Sequence, residues 1–318
     1  VAEKNKPIND MHLSIVIPFF NEEDNMEMLF TKLQETLDSF PHKTEVVLVD
    51  DGSTDQSVTN IIKFSYKLEH LKVVQLSRNF GSIAALRAGV QEASGEYVVF
   101  LYADLQDPPV LITRLYDEIT KGNDIVWASR STENQRFIDR IFPMFYAWLM
   151  RRYAVPDFPE NGFDVVMFNH KVKNELNKRP ETHSSIFLQI LQIGFRKTFI
   201  TYTKIARKKG KSKWTFSMKL KLVVDSFVAF SYFPVRLVTI IGILMAFGGV
   251  IWLGAVLAFY FFGNLEIPLG WPALMSAVLI GFGVTNFSLG ILAEYLWRTY
   301  DAAKQNTPFI ISEVIDFK

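Results

Sequence analysis

Residues 45–55 read Glu-Val-Val-Leu-Val-Asp-Asp-Gly-Ser-Thr-Asp, a β-branched run that stops on two carboxylates and a glycine. A short Val-rich run closed by turn residues reads as a buried strand, so Glu45–Asp50 carries Asp50 and Asp51 at its carboxyl end. The same grammar extends in both directions. Leu13–Phe19, Leu71–Leu76, Tyr97–Tyr102 and Asp124–Ala128 are further strand-like runs. Helical patterns separate them at Asp24–Asp38, Asp55–Tyr66, Ser82–Ala93 and Asp107–Lys121. This alternation predicts an α/β fold whose mostly parallel sheet is covered on both faces, a Rossmann-like nucleotide-binding domain.

Ligands of such sheets sit beyond the carboxyl ends of the strands. Pro18-Phe19-Phe20-Asn21-Glu22-Glu23 closes the first strand, and Ala103-Asp104-Leu105-Gln106-Asp107-Pro108-Pro109 follows the fourth. Asp55 and Asp107 precede helices and read as N-caps, with Pro108 at the first helical position. Asp50, Asp51 and Asp104 have no helix to cap. Carboxylates and a glutamine at neighbouring strand ends can hydrogen-bond a ribose or base. They can also hold a hard cation whose other sites go to phosphate and water. There is neither a P-loop nor a G-x-G-x-x-G turn, so helix-terminus phosphate binding is not signalled.

At 318 residues the chain has room for two or three domains. Hydrophobic residues make up 49% and charged residues 21%, with a mean hydropathy of +0.14. That balance excludes a disordered or collagen-like chain and is too apolar for an average soluble enzyme. The absence of cysteine excludes disulfides, thiolate zinc sites and cysteine nucleophiles, and fits a cytosolic or membrane setting. The net charge of +1 conceals a block. Ten Lys or Arg and no acid lie between Arg196 and Lys221, against 24 basic and 33 acidic residues elsewhere. Such a block on an acidic body points to a polyanionic partner, a phosphate or an anionic membrane surface among them.

Leu237–Phe262 runs 26 residues without a charge and Trp271–Ala293 another 23, where about 20 cross a bilayer. Two transmembrane helices are expected. Arg236 precedes the first, Arg298 and Lys304 follow the second, and the connection Gly263–Gly270 has no Lys or Arg. The positive-inside tendency then makes the N-terminal domain and the tail cytoplasmic, in a multi-pass protein of the inner (cell) membrane. Ala273, Ala277, Gly281 and Thr285 form a small-residue stripe for close packing, within the pair or between the subunits of a homo-oligomer. Residues 136–153 and 215–234 mix aromatic and aliphatic residues with Arg or Lys at helical spacing and read as interfacial helices. The organisation expected is a polar lead-in at 1–11 and a catalytic domain at 12–214 that includes the first interfacial helix. The second interfacial helix follows at 215–234, two spans at 235–298, and a cytoplasmic tail at 299–318.

Four blocks, in this order and spacing, resemble those of family 2 glycosyltransferases of the polyisoprenyl-phosphate type, a group that includes dolichol-phosphate mannose synthase and bacterial GtrB. They are Ile17-Pro18-Phe19-Phe20-Asn21-Glu22, Val49-Asp50-Asp51-Gly52-Ser53-Thr54-Asp55, Ser77-Arg78-Asn79-Phe80-Gly81 and Ala103-Asp104-Leu105-Gln106-Asp107-Pro108-Pro109. With Gly162-Phe163-Asp164, the segment Arg207-Lys208-Lys209-Gly210-Lys211-Ser212-Lys213-Trp214 and the two spans, the resemblance covers nearly the whole chain. It implies a GT-A fold, a nucleotide-sugar donor, a polyprenyl phosphate acceptor and Mg2+ or Mn2+ at an Asp-x-Asp-type motif. Carried over residue by residue, Pro18, Phe20, Glu22, Asp50, Asp51 and Asp104 serve the nucleotide-sugar, and Asp104 and Gln106 the metal. Arg130 and Arg140 neutralise the diphosphate, Asp164 orients the acceptor, and Arg207, Lys211, Ser212 and Lys213 bind the lipid phosphate. Asp104, Asp164 and Arg130 are the candidate catalytic residues. Many relatives have Asp where this chain has Tyr102. Tyr102 is read as the last residue of a buried strand, which leaves Asp104 to anchor the ion.

The reaction implied is inverting transfer of a sugar to polyprenyl phosphate on the cytoplasmic face, with UDP-glucose and undecaprenyl phosphate the expected pair. A non-catalytic nucleotide-binding scaffold and a processive polysaccharide synthase are the alternatives. Intact Asp50, Asp51, Asp104, Gln106 and Arg130 argue against the first, and the lack of a Gln-x-x-Arg-Trp motif and the small number of spans against the second. Nucleic acid is not an expected partner, because the basic block adjoins a membrane span.

Overall fold

The structure, a computed structural model, describes residues 11–130, 137–153, 155–159, 163, 165–180, 185–203, 270–303 and 307–317, with scattered helical positions between 238 and 251. The chain divides into two units, Val1–Lys219 with Asn306–Lys318, and Leu220–Gln305.

In the first unit β1 (Leu13–Phe19), β2 (Thr44–Asp50), β3 (Leu71–Leu76) and β4 (Tyr97–Phe100) alternate with α1 (Met26–Leu37), α2 (Ser57–Phe64), α3 (Ser82–Glu92) and α4 (Leu111–Ile119). Then come β5 (Ile125–Arg130), α5 (Phe137–Tyr153), β6 (Val165–Asn169), α6 (His170–Lys178), α7 (Ile186–Gln192) and β7 (Lys197–Tyr202). Beyond the second unit, Ile311–Phe317 returns as β8. The strands form one sheet in the order β7-β5-β6-β4-β1-β2-β3-β8. β3, β2, β1 and β4 are parallel, β6 runs against both β4 and β5, β7 is parallel to β5, and β8 is antiparallel to β3. The expected mostly parallel α/β sheet is present.

Every residue of β1 is buried, as a central parallel strand with helices on both faces requires. Leu13, Ile15 and Ile17 join Met26, Leu29, Phe30 and Leu33 of α1 in one cluster, each contributing about 1.5–3 kcal/mol by leaving water. Val16 points to the other face, where Gly89 lets α3 come down onto β1 and β2. A Cβ on Gly89 would lie 2.2 Å from Val16 Cγ1 and 3.1 Å from Val49 Cγ2.

Pro18 stands in this central strand without breaking it. The β1–β4 pairing ends at Val16 and Phe100, and Leu101 N–H makes a last bond to Val16 O at 3.1 Å. The backbone of Pro18, two residues on, faces the same way, where β4 has already left the sheet. No ladder bond is lost. The gap lies between β1 and β4, where successive connections leave the sheet in opposite directions, the usual position of a ligand crevice.

Three strands escaped the sequence reading. β6 is only five residues long, β7 begins inside the stretch counted as a basic block, and β8 was read as tail. Lys197 accordingly has a structural partner: its Nζ lies 2.7 Å from Asp157 Oδ2. The first interfacial segment is a helix, α5, which exposes Met144 and Trp148, whereas residues 215–234 lie outside the described residues.

In the second unit α8 (Gly270–Ala303) has 34 residues. Gly281, Val284, Ser288 and Ile291 form its half-buried stripe, and Val284 and Ser288 share a small cavity with Val238 and Ile241. Thr285 is exposed and turns its hydroxyl onto Gly281 O at 2.9 Å, and among the described members of the small-residue stripe Ala277 is exposed as well while Gly281 is half-buried. Among the described residues no helix is long and apolar enough to cross a membrane. The first expected span lies mostly outside them.

Gly89→Ala should destabilise the first unit by about 1–3 kcal/mol, the usual cost of overpacking, because the atoms it meets belong to fully buried valines. A thermal midpoint equal to wild type would show that α3 can lift from the sheet freely.

Candidate active site

The turns after β1 and β2 are sewn to each other. Asn21 has left-handed backbone, φ 51°, a conformation asparagine tolerates. Its N–H donates to Ser53 Oγ at 2.9 Å, and its Oδ1 accepts from Thr54 N–H at 2.8 Å. Glu22 N–H donates to Ser57 Oγ at 2.9 Å, Glu23 N–H to Asp55 Oδ2 at 3.1 Å, and Gln56 N–H to Glu23 Oε2 at 2.9 Å. These amides lie past the ends of the ladder, and side chains take the place of a neighbouring strand. Asp55 also accepts from Ser57 N–H, though Gln56 occupies the N-cap position of α2.

Asp50 and Asp51 are 3% and 4% exposed. Asp50 Oδ1 accepts from Ser53 N–H at 2.8 Å. Asp51 reaches the loop after β3, taking Phe80 N–H at 2.7 Å on Oδ1 and Gly81 N–H at 2.9 Å on Oδ2. Gly52 allows this closure. Its φ is +74°, and a Cβ there would lie 2.7 Å from both Arg78 C and Asn79 N, backbone atoms that cannot swing aside. Burial raises both carboxyls above the ordinary carboxylate range. Asp51 is pushed up to about 6, against the hydrogen bonds from Phe80 and Gly81 and with a further push from the charge of Asp50. For Asp50 the bonds from Ser53 oppose burial but do not cancel it.

The turn after β4 departs from the sequence expectation twice. The strand stops at Phe100, so Tyr102 is a half-buried turn residue and not a strand end. Asp107 does not cap α4, which starts at Leu111 after bonds from Leu111 N–H to Pro108 O and from Ile112 N–H to Pro109 O, both 2.9 Å. Asp107 is instead 1% exposed and accepts the Tyr202 hydroxyl from the end of β7. Between them Leu105 sits at φ 55°, and Asp104 Oδ1 accepts from Gln106 N–H at 3.2 Å. A leucine in the left-handed region persists only where its surroundings hold it.

Because β4, β1 and β2 are adjacent and parallel, Pro18, Phe20, Glu22, Asp50, Asp51, Asp104 and Gln106 come to one rim. Glu22 is partly engaged there, its Oε2 accepting from Asn25 Nδ2 at 2.7 Å. Arg130 ends β5, which runs in the same direction. The side chains of Arg130 and of Arg140 in α5 lie outside the described residues, as do Asp164, Arg207, Lys211, Ser212 and Lys213. Among the described residues no three His, Cys, Asp or Glu side chains gather as a metal cluster. Asp104 and Gln106 thus offer one carboxylate and one amide oxygen. That set fits Mg2+ or Mn2+, which commonly take one or two protein carboxylates and fill the shell with phosphate and water.

The profile described as "Glycosyl transferase family 2" matches residues 14–160. An uncharacterized glycosyltransferase of Synechocystis sp. is 32% identical over 305 residues, 96% of either chain. The bactoprenol glucosyl transferase of Shigella phage SfV is 31% identical over 310 residues, 95% of this chain and 98% of that protein. The chain belongs to glycosyl transferase family 2, and its α/β sheet is the GT-A fold. In fold it is also similar to glucosyl-3-phosphoglycerate synthase of Mycobacterium tuberculosis, solved with Mn2+, UDP-glucose and phosphoglyceric acid. That TM-score is 0.51 at 17% identity, covering 68% of this chain and 79% of that one.

The folded protein binds the Asp51 proton more tightly than the unfolded chain does. The resulting stabilisation is full below the ordinary carboxylate pKa near 4 and is lost as the pH rises through about 6. Asp51→Asn keeps an oxygen for Phe80 and removes this dependence. Its NH2 group meets the Gly81 N–H that Oδ2 accepts, so the variant loses that bond. Thermal melts should show the advantage of wild type over it largest near pH 4 and shrinking as the pH rises through about 6.

Proposed function

We propose that this glycosyltransferase moves a sugar, with inversion, from a nucleotide-sugar to polyprenyl phosphate at the cytoplasmic face of the cell membrane. The observation that carries the reading is extent. Two relatives named for bactoprenol glucosyl transfer, the SfV protein and a prophage homolog of Escherichia coli, match 95% and 96% of this chain and 98% and 99% of their own length. The likeness therefore runs through the charge-free stretches at 237–262 and 271–293, which support two membrane spans and fit a lipid acceptor. UDP-glucose is the donor this reading favours, and packing of the spans between copies fits a homo-oligomer.

The acceptor needs little activation. A phosphate monoester has a second pKa of about 6, so its oxygen is ionised near neutrality and needs no strong base, which leaves Asp164 an orienting role. That oxygen attacks the anomeric carbon as the bond from this carbon to the nucleoside diphosphate breaks, and the diphosphate departs with the electron pair. The rim at Asp50 and Asp51 receives the nucleoside, Arg130 and Arg140 neutralise the diphosphate, and Arg207, Lys211, Ser212 and Lys213 take the lipid phosphate. Asp104 and Gln106 would hold a divalent cation, which would supply neutralisation of charge on the leaving diphosphate. Positioning and electrostatics account for most of the rate.

Purified protein given radiolabelled UDP-glucose and undecaprenyl phosphate should yield a chloroform-extractable labelled lipid. No labelled lipid from any of a panel of nucleotide-sugars would overturn the reading. Asp104→Ala should lower transfer roughly 100-fold or more while the thermal midpoint stays near wild type.

For topology, a cysteine at Asn264 should react with an impermeant maleimide in intact cells and one at Ser312 should not. The reverse pattern would invert the orientation.

A further inference from the structure

The hydrogen bond between Tyr202 and Asp107 has no part in the site as the family blocks define it, yet it joins two functional segments. Tyr202 is 5% exposed, and its ring belongs to the main hydrophobic cluster beside Ala103, Leu111 and Ala128. It is the last residue of β7, in register with Arg130 at the end of β5. Asp107, 1% exposed, lies one residue past Gln106 and three past Asp104. Ninety-five residues of chain separate the two partners, so the contact is tertiary and not a local turn.

The loop between them needs such an anchor. It carries Leu105 in left-handed backbone, a conformation disfavoured by roughly 1–2 kcal/mol for a residue with a side chain. Two bonds within it are long: Leu105 N–H to Tyr102 O at 3.4 Å and Gln106 N–H to Asp104 Oδ1 at 3.2 Å. Both ends of the loop are buried, Ala103 in the core on one side and Asp107 on the other. A hydroxyl donating to a buried carboxylate is among the stronger neutral-to-charged contacts, and its geometry transmits directly to the two residues before it.

We propose that Tyr202 is a positioning residue: through Asp107 its hydroxyl fixes the 103–107 loop in the conformation in which Asp104 and Gln106 hold the divalent cation. The proposal rests on the glycosyltransferase reading above, and its test separates the two. Tyr202→Phe keeps the ring in the core and removes only the hydroxyl. Mn2+ would be titrated into wild type and variant with UDP present, free ion being counted by electron paramagnetic resonance, alongside the Mn2+ dependence of transfer and the KM for undecaprenyl phosphate. Tyr202→Phe should weaken Mn2+ binding about tenfold or more and raise the Mn2+ needed for half-activity in parallel, with the acceptor KM unchanged. Asp107→Leu, which has no oxygen to accept the hydroxyl, should do the same, and the double variant should be no worse than the weaker single one. Should Tyr202→Phe fail to fold, Asp107→Leu carries the same readout. Mn2+ binding equal to wild type in a folded variant overturns the positioning role while leaving the transfer reaction standing. A loss spread over Mn2+ affinity, acceptor KM and thermal midpoint alike overturns it in favour of a packing role. A wild type that transfers no sugar and binds no Mn2+ defeats both.

Discussion

Backbone amides that run past the end of a β-ladder must find partners, and in this protein the partners are side chains from the next turn. Asn21, Ser53, Ser57, Glu23 and Asp55 supply the oxygens that a neighbouring strand would otherwise have offered. The rim beyond β1 and β2 is therefore rigid before any ligand arrives. Preorganised polar groups of this kind need no reorganisation when charge develops nearby, which is where most of the catalytic benefit of a transferase site resides.

The same economy governs Asp50 and Asp51. Both sit almost out of water, where an isolated carboxylate is costly, and backbone N–H groups from the chain ahead compensate part of that cost. Asp51 thereby acquires a structural duty in addition to the ligand contact its motif suggests, because it draws the Arg78–Gly81 loop against β2. Gly52 makes room for that approach, with backbone on both sides of the place a side chain would fill. A motif that looks like a list of ligand contacts is also a set of loop clasps.

Opposite this clasped side, β4 leaves the sheet early and opens the crevice. Pro18 marks the place, since a residue without an N–H is tolerated in a central strand only where no neighbour waits for it. The turn that follows carries Asp104 and Gln106, and a long-range contact from the end of β7 reaches it at Asp107. One edge of the site is thus built locally and the other by a strand far along the chain.

Much of the first unit was legible in the amino-acid order. Mostly apolar runs bounded by turn residues, such as Leu13–Phe19, read as buried strands, and strand-end carboxylates in a parallel sheet come to a common rim because all those strands point one way. What periodicity could not reach was pairing at a distance. β8 is a short alternating strand that looks like a polar tail until β3 offers it an edge, and Lys197 looks like part of an anion-binding block until Asp157 stands beside it. Asp107 reads as a helix cap because caps are local, whereas its real partner lies 95 residues away and only folding brings them together. Sequence by itself determined the five strands β1 to β5, their common direction and the chemistry placed along their rim. The tertiary structure decided which of those side chains clasp loops and which face the crevice, because hydrogen-bond partners buried away from water are chosen by proximity in space, and proximity across a sheet is not written in neighbouring residues.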